Sequence, residues 1–377
     1  MADSGAASGV PGSYGAELLA TLTPLTRNNT GNSEENGEAD TVLTHVRTEP
    51  ARLSDPVDWP DWVDPDLRAH LVDEGIERPW SHQITTADHA RNGTDVVVAT
   101  GTASGKSLGY QLAVTDALIH DRLASCLYLS PTKALAQDQR AALARLIASS
   151  PAMKDAVVAT YDGDTPAEAR RLIREEARVI ISNPDMVHAS ILGNHERWTR
   201  LLRNLRFLIV DECHVYRGVF GAHVSLVLRR LLRLAHRAGA RPTIVLASAT
   251  TADPAGQAQR LTGRPTVAVT EDGSPRGERT VALWEPGFLE NTVGEHGAPV
   301  RRAATTEAAA IMARTIAEGA RTLTFVRSRR GAEITALACA DDLTGLGRVD
   351  DARRIASYRA GYTPEARRVL EKRLDDG

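Results

Sequence analysis

The chain has 377 residues, 42% hydrophobic and 25% charged, with a formal net charge of −3. This composition suits packed domains, and its negative sum excludes capture of nucleic acid by overall charge, so any such site must be a local patch. Aromatic residues are 4% of the total, too few for base stacking as the main binding device, and the separated Cys126, Cys213 and Cys339 give neither a disulfide framework nor zinc spacing. With no secretory leader and no apolar run able to cross a bilayer, the expectation is a cytoplasmic protein without a membrane partner.

In chain order, residues 1–42 read as a disordered tail: the run Asn28 to Gly37 has almost nothing to bury, though Leu18 to Leu22 could form a frayed helix. A proline-punctuated lead-in with Trp59 and Trp62 follows. Beyond Trp80, short apolar runs alternate with helical spacing. Strands are predicted at Asp95–Ala99, Cys126–Leu129, Val157–Ala159, Val179–Ile181, Phe207–Val210 and Ile244–Leu246, and helices at Ser107–Ile119 and Lys133–Ile147. That rhythm predicts an α/β fold, a parallel sheet with helices on both faces. Residues 43–275 form the first domain. Residues 276–304 read as a linker carrying one strand, Val281–Trp284. Residues 305–377 open a second α/β unit, with strands at Thr322–Val326 and near Ile355–Tyr358 and a helix over Pro364–Leu374.

Three short stretches carry chemistry. Thr100-Gly101-Thr102-Ala103-Ser104-Gly105-Lys106-Ser107 lies between a predicted strand and helix, where a phosphate-binding loop belongs. Its backbone N–H groups can cradle phosphate, Lys106 can neutralise the β/γ-phosphates of ATP, and Ser107 can join a Mg²⁺ shell. Thr100 stands where the strict pattern has glycine. Asp211-Glu212-Cys213-His214 ends another strand. Adjacent carboxylates there point in different directions: Asp211 can hold Mg²⁺ through water, while Glu212 faces the attacking water as general base. Ser248-Ala249-Thr250 follows a third strand, and its hydroxyls can couple to His214.

Together these motifs resemble superfamily 2 helicases of the DEAD/DEAH-box kind. Pro131-Thr132-Lys133 and the residues after it resemble motif Ia, and Ser182-Asn183-Pro184-Asp185-Met186 resembles the next nucleic-acid-contacting motif. Arg78 to Gln83, His214 to Gly221 and Tyr358 to Tyr362 are similar to the MrfA/YprA-like DNA helicases. The resemblance implies a RecA-like P-loop NTPase fold followed by a partial second RecA-like domain, with ATP and Mg²⁺ as cofactors. It implies that Gln83 reads adenine, and that Pro131, Thr132, Lys133, Asn183, Pro184 and Arg327 touch nucleic acid. DNA is favoured over RNA, since backbone contacts separate the two poorly and only the subfamily points to DNA. An RNA helicase and a non-catalytic ATP- and nucleic-acid-binding module remain the alternatives. Motifs V and VI, with their arginine finger, match nothing before Gly377. The chain is therefore expected to be a fragment with little activity alone, or one half of a motor whose other half is separately encoded. Arg229, Arg230, Arg233 and Arg237 share a helix with inward leucines and read as a solvated face.

Overall fold

The computed structural model describes residues 14–22 and 43–376. The expected disorder of 28–37 lies outside the described residues; the 14–22 stretch is a helix, Tyr14–Leu22. Contacts divide the chain into two units, residues 52–276 and residues 1–51 with 277–377.

The 52–276 unit is built on seven parallel strands. In chain order they are β2 (Val96–Ala99), β3 (Ser125–Leu129), β4 (Val157–Thr160), β5 (Ala177–Ser182), β6 (Leu205–Val210), β7 (Thr243–Ser248) and β8 (Val267–Val269). Across the sheet the order is β4-β5-β3-β6-β7-β2-β8. Every residue of β2, β3, β5 and β7 is buried, because helices cover both faces; that is why they appear in the sequence as unbroken apolar runs. One face packs Val97, Leu127, Ile180, Leu208 and Leu246 with the helix Gly218–Arg237, and the other packs Val96, Cys126, Val179 and Ile209 with the helix Lys106–His120. Arg229, Arg230, Arg233 and Arg237 are exposed while Leu228 and Leu231 are buried, as an amphipathic helix requires.

Parallel strands put all their C-terminal ends on one edge. Register makes that edge flush: Ala99 pairs with Ser248, and Leu129 with both Val210 and Ser182. Loops leaving β2, β3, β5, β6 and β7 therefore meet along one line, where ligands of open α/β sheets bind. The lead-in segment buries Trp59 against Ile84, Leu108 and Leu112, clamping the helix Ser81–Arg91 onto the helix Lys106–His120. Indole N–H bonds from Trp59 to the Glu77 carbonyl and from Trp62 to Asp88, both 2.9 Å, fix its path.

The other unit differs from expectation. Its β1 (Leu43–Glu49) pairs antiparallel with β9 (Arg279–Trp284), so residues 43–51 group with the C-terminal unit and not with the first domain. The expected linker holds β9 together with the ribbon of β10 (Phe288–Val293) and β11 (Pro299–Arg301). Thr322–Val326 is not a strand: it finds no pairing partner among the described residues, and Leu323 and Phe325 are exposed. A backbone without a ladder partner gains nothing from extension, however apolar its side chains. The expected strand near Ile355–Tyr358 is likewise absent; only an isolated bridge, Ala360 to Tyr362, lies nearby. The helix Pro364–Asp376 is present, as are Ala304–Ala317 and Arg329–Gly345, which bury Ala309, Ala313, Cys339 and Leu343 between them.

Candidate nucleotide site and nucleic-acid groove

The loop after β2 turns back through two left-handed residues, Ala103 (φ 61°) and Gly105 (φ 65°). Alternating handedness aims successive N–H groups into one concavity, the geometry that receives phosphate. Glycine suits position 105: its φ favours no side chain, and a Cβ there would stand 2.6 Å from Gln83 Nε2 and displace that side chain. Thr100, in the place of the usual glycine, is buried and bonds Ser104 Oγ through its hydroxyl at 2.7 Å, stapling the loop's two ends. Lys106 donates to the carbonyls of Gly101 (2.8 Å) and Thr100 (3.3 Å). Thr102 and Ala103 form the exposed tip.

Three side chains brace this loop from behind. Gln83 accepts from Trp80 N–H (2.9 Å) and donates to the Gly105 carbonyl (3.0 Å). His82 Nδ1 accepts from the Gly273 N–H at 3.1 Å, so the proton sits on Nε2, which donates to the Ser104 carbonyl at 2.8 Å. Burial pushes the His82 pKa down, and Lys106 and Arg52 add to this against the Ser104 bond and Asp272. The ring is neutral, as its acceptor role demands. Asp272 accepts from the Gly101 N–H (3.1 Å) and pairs with Arg52 (2.9 Å). Burial opposes its charge, yet hydrogen bonds from Ser274, Arg52 and Gly101 hold its pKa down to about 2. Sequence alone does not mark His82 and Asp272, because partners 191 and 171 residues apart leave no local pattern.

Asp211 lies at the end of β6, two strands from the loop, and is buried. It accepts from the Tyr128 hydroxyl and, at 2.9 Å, from the Glu212 N–H. Burial raises its pKa, while those two bonds and the nearby Lys106 pull the other way. Glu212 adopts a left-handed backbone (φ 48°), a conformation costing a non-glycine residue about 1–2 kcal/mol. That turn separates the two carboxylates: Asp211 is held inside and Glu212 reaches out. Ser107 Oγ is approached by Gln139 at 3.4 Å. One hydroxyl and one carboxylate fit a hard cation held mainly by phosphate and water, and no group of three His, Cys, Asp or Glu among the described residues could hold a metal alone.

His214 Nδ1 lies 3.1 Å from Glu212 Oε2 and 3.3 Å from the Ala249 N–H. One nitrogen cannot both donate to the carboxylate and accept from the amide, so the ring must choose between them. Ser248 is buried and bonds its neighbour's carbonyl, and Thr250 is exposed beyond β7.

Roughly 14 Å along the edge, three strand spacings from β2 to β3, lies a groove. Pro131, Thr132, Lys133, Asn183 and Pro184 line it. Thr132 caps the helix Lys133–Ser149 through Leu135 N–H (3.3 Å), and Asn183 accepts from Met186 N–H (2.9 Å). Lys133, largely exposed, pairs with Asp164 at 2.5 Å. Arg327 belongs to the other unit, where it is exposed just before the helix-capping Ser328.

A seven-stranded parallel sheet with a phosphate loop after β2 and paired carboxylates after β6 defines a RecA-like nucleotide-binding domain. Residues 80–257 match the DEAD/DEAH box helicase family. The chain carries that helicase domain and belongs with the MrfA/YprA-like helicases. It is 39% identical over 313 residues to the ATP-dependent helicase HRQ1 of Saccharomyces cerevisiae, covering 81% of this chain and 28% of that protein. It is 36% identical over 318 residues to the ATP-dependent helicase YprA of Bacillus subtilis, covering 84% of this chain and 41% of that one. The DUF1998 helicase MrfA bound to DNA and AMPPNP superposes with a TM-score of 0.81 at 32% identity, covering 95% of this chain and 46% of the other. The chain thus spans less than half the length of these relatives. No helix among the described residues is long and apolar enough to cross a membrane.

Proposed function

We propose that the chain is the ATP-binding part of a helicase motor that moves on DNA. The observation that carries this is the single edge on which the β2 loop, the β6 carboxylates and the β3–β5 groove all open. Lys106 and the loop amides bind the phosphates of ATP. A magnesium ion, where bound, neutralises charge on the β- and γ-phosphates, with Ser107 and Asp211 the residues that would hold it. Glu212, set outward by its backbone, accepts the proton of the attacking water. His214, between Glu212 and the Ala249 amide, links the carboxylates to Ser248–Thr250. Gln83, whose amide nitrogen carries a second proton beyond its loop bond, meets adenine. Pro131, Thr132, Lys133, Asn183, Pro184 and Arg327 contact the nucleic-acid backbone.

DNA is preferred because MrfA, the structural relative at 32% identity, is one bound to DNA. Three free, buried cysteines suit a reducing cytoplasm. The test compares ATP hydrolysis with single-stranded DNA and with RNA of the same sequence, in a protein that joins this chain to a relative's motifs V and VI. Greater stimulation by DNA is expected. Equal or greater stimulation by RNA overturns the substrate, and stimulation by neither overturns the motor.

A further inference from the structure

The groove has a feature that backbone contacts leave unused. Tyr216 lines it and is 4% exposed, yet its hydroxyl has no hydrogen-bond partner among the described residues. An unpaired buried hydroxyl costs about 1–3 kcal/mol, so the position makes sense when an acceptor arrives from the groove. Phe220, half exposed at the same groove, has its ring centroid 5.8 Å from that of Tyr216, tilted by 54°. The two rings lie side by side. Gly218 turns the chain with φ 61°, and at Gly221 a Cβ would lie 2.5 Å from the Tyr216 carbonyl oxygen, so helix and loop are in contact there.

Charge alone is a poor account of what the groove holds. Lys133 is already paired with Asp164, and Asp162 and Asp185 also line the walls. A ligand that supplies both a hydrogen-bond acceptor and a flat apolar face matches this lining better than a bare polyanion. Unstacked nucleic acid offers both, phosphate oxygens and a base in every nucleotide.

We propose that Tyr216 and Phe220 form an aromatic step that receives one nucleotide of a single strand, Tyr216 donating to a backbone oxygen and Phe220 stacking on the base. This rests on the strand-binding reading above and adds to it a base-dependent contact directly downstream of the Asp211–His214 motif.

The test measures fluorescence anisotropy of the full chain with labelled oligothymidylate and with an abasic strand of equal length. Phe220→Ala should weaken oligothymidylate binding about 5- to 30-fold and leave the abasic strand unchanged. Tyr216→Phe should weaken both about 3- to 10-fold while leaving the melting temperature unchanged or raised, because the lost hydroxyl has no partner among the described residues. The proposal is overturned if Phe220→Ala leaves oligothymidylate affinity intact or weakens both strands equally. It is also overturned if Tyr216→Phe changes neither affinity. A wild-type chain that binds neither strand removes the strand-binding reading itself, a result distinct from these.

Discussion

Behind the phosphate loop, His82, Gln83 and Asp272 each place a hydrogen bond on the loop's own backbone, at Ser104, Gly105 and Gly101. In the groove on the same sheet edge, the Tyr216 hydroxyl lacks a partner among the described residues, Phe220 is half exposed and Lys133 is held by a surface ion pair. The difference follows from the ligands. Phosphate has a fixed shape, so amides held in advance bind it without a reorganisation cost. A nucleic-acid strand must enter, be gripped and be let go, and side chains with open valences suit repeated exchange. A braced loop should lose much when one ligand-facing group is removed, whereas a groove should lose affinity in small increments.

The largest effect sharpens the division between binding and chemistry. Glu212→Gln keeps shape and hydrogen bonding but removes the base, so ATP turnover of the chain joined to a relative's motifs V and VI should fall about 100-fold or more. Affinity for a fluorescent ATP analogue should stay near wild type; a parallel loss of affinity would make Glu212 part of the binding set.

Next comes the loop itself. Lys106→Ala removes a charge-assisted contact worth roughly 2–3 kcal/mol, or about 30- to 150-fold in ATP affinity. Unchanged titration curves would break the assignment of the loop.

The brace gives a smaller effect, on stability. His82→Ala leaves the Ser104 carbonyl and the Gly273 amide without their partner, which should cost about 2 kcal/mol in urea unfolding. If that variant lost nucleotide affinity at full stability, His82 would be a ligand contact and not a brace.

Smallest is a pH dependence. The folded-state pKa of His82 lies below its ordinary 6.5, so the unfolded chain takes up the proton first. Its contribution is fully present above pH 6.5 and is lost as pH falls toward the folded value, with a slope no steeper than about 1.4 kcal/mol per pH unit. The difference between wild type and His82→Gln in urea midpoints across that range isolates it. A stability gain on acidification would reverse the sign and contradict a neutral ring.

Which parts were legible in the sequence follows from the range of the forces involved. β2, β3, β5, β6 and β7 are mostly or wholly buried, so each is visible as a local apolar run. β8, three residues long with only Val269 buried, carries too little pattern to read. Thr322–Val326 shows the opposite error, an apolar run without a ladder. At the site, the loop Thr100–Ser107 and the pair Asp211–Glu212 are contiguous because one turn must supply several atoms. The brace is assembled across nearly two hundred residues; its one local hint was His82 beside Gln83. Tyr216 and Phe220 lie inside the helicase-like stretch His214 to Gly221, but an unpartnered hydroxyl exists only in three dimensions.

Hydrogen–deuterium exchange on the full chain tests most directly whether the two ligands use these two places. Adding AMPPNP with magnesium should protect residues 100–107 and leave the groove unchanged. Adding oligothymidylate alone should protect residues 131–136 and 183–187 together with the 216–221 turn. Nucleotide protection that misses 100–107, or strand protection that appears there and not in the groove, would contradict the account.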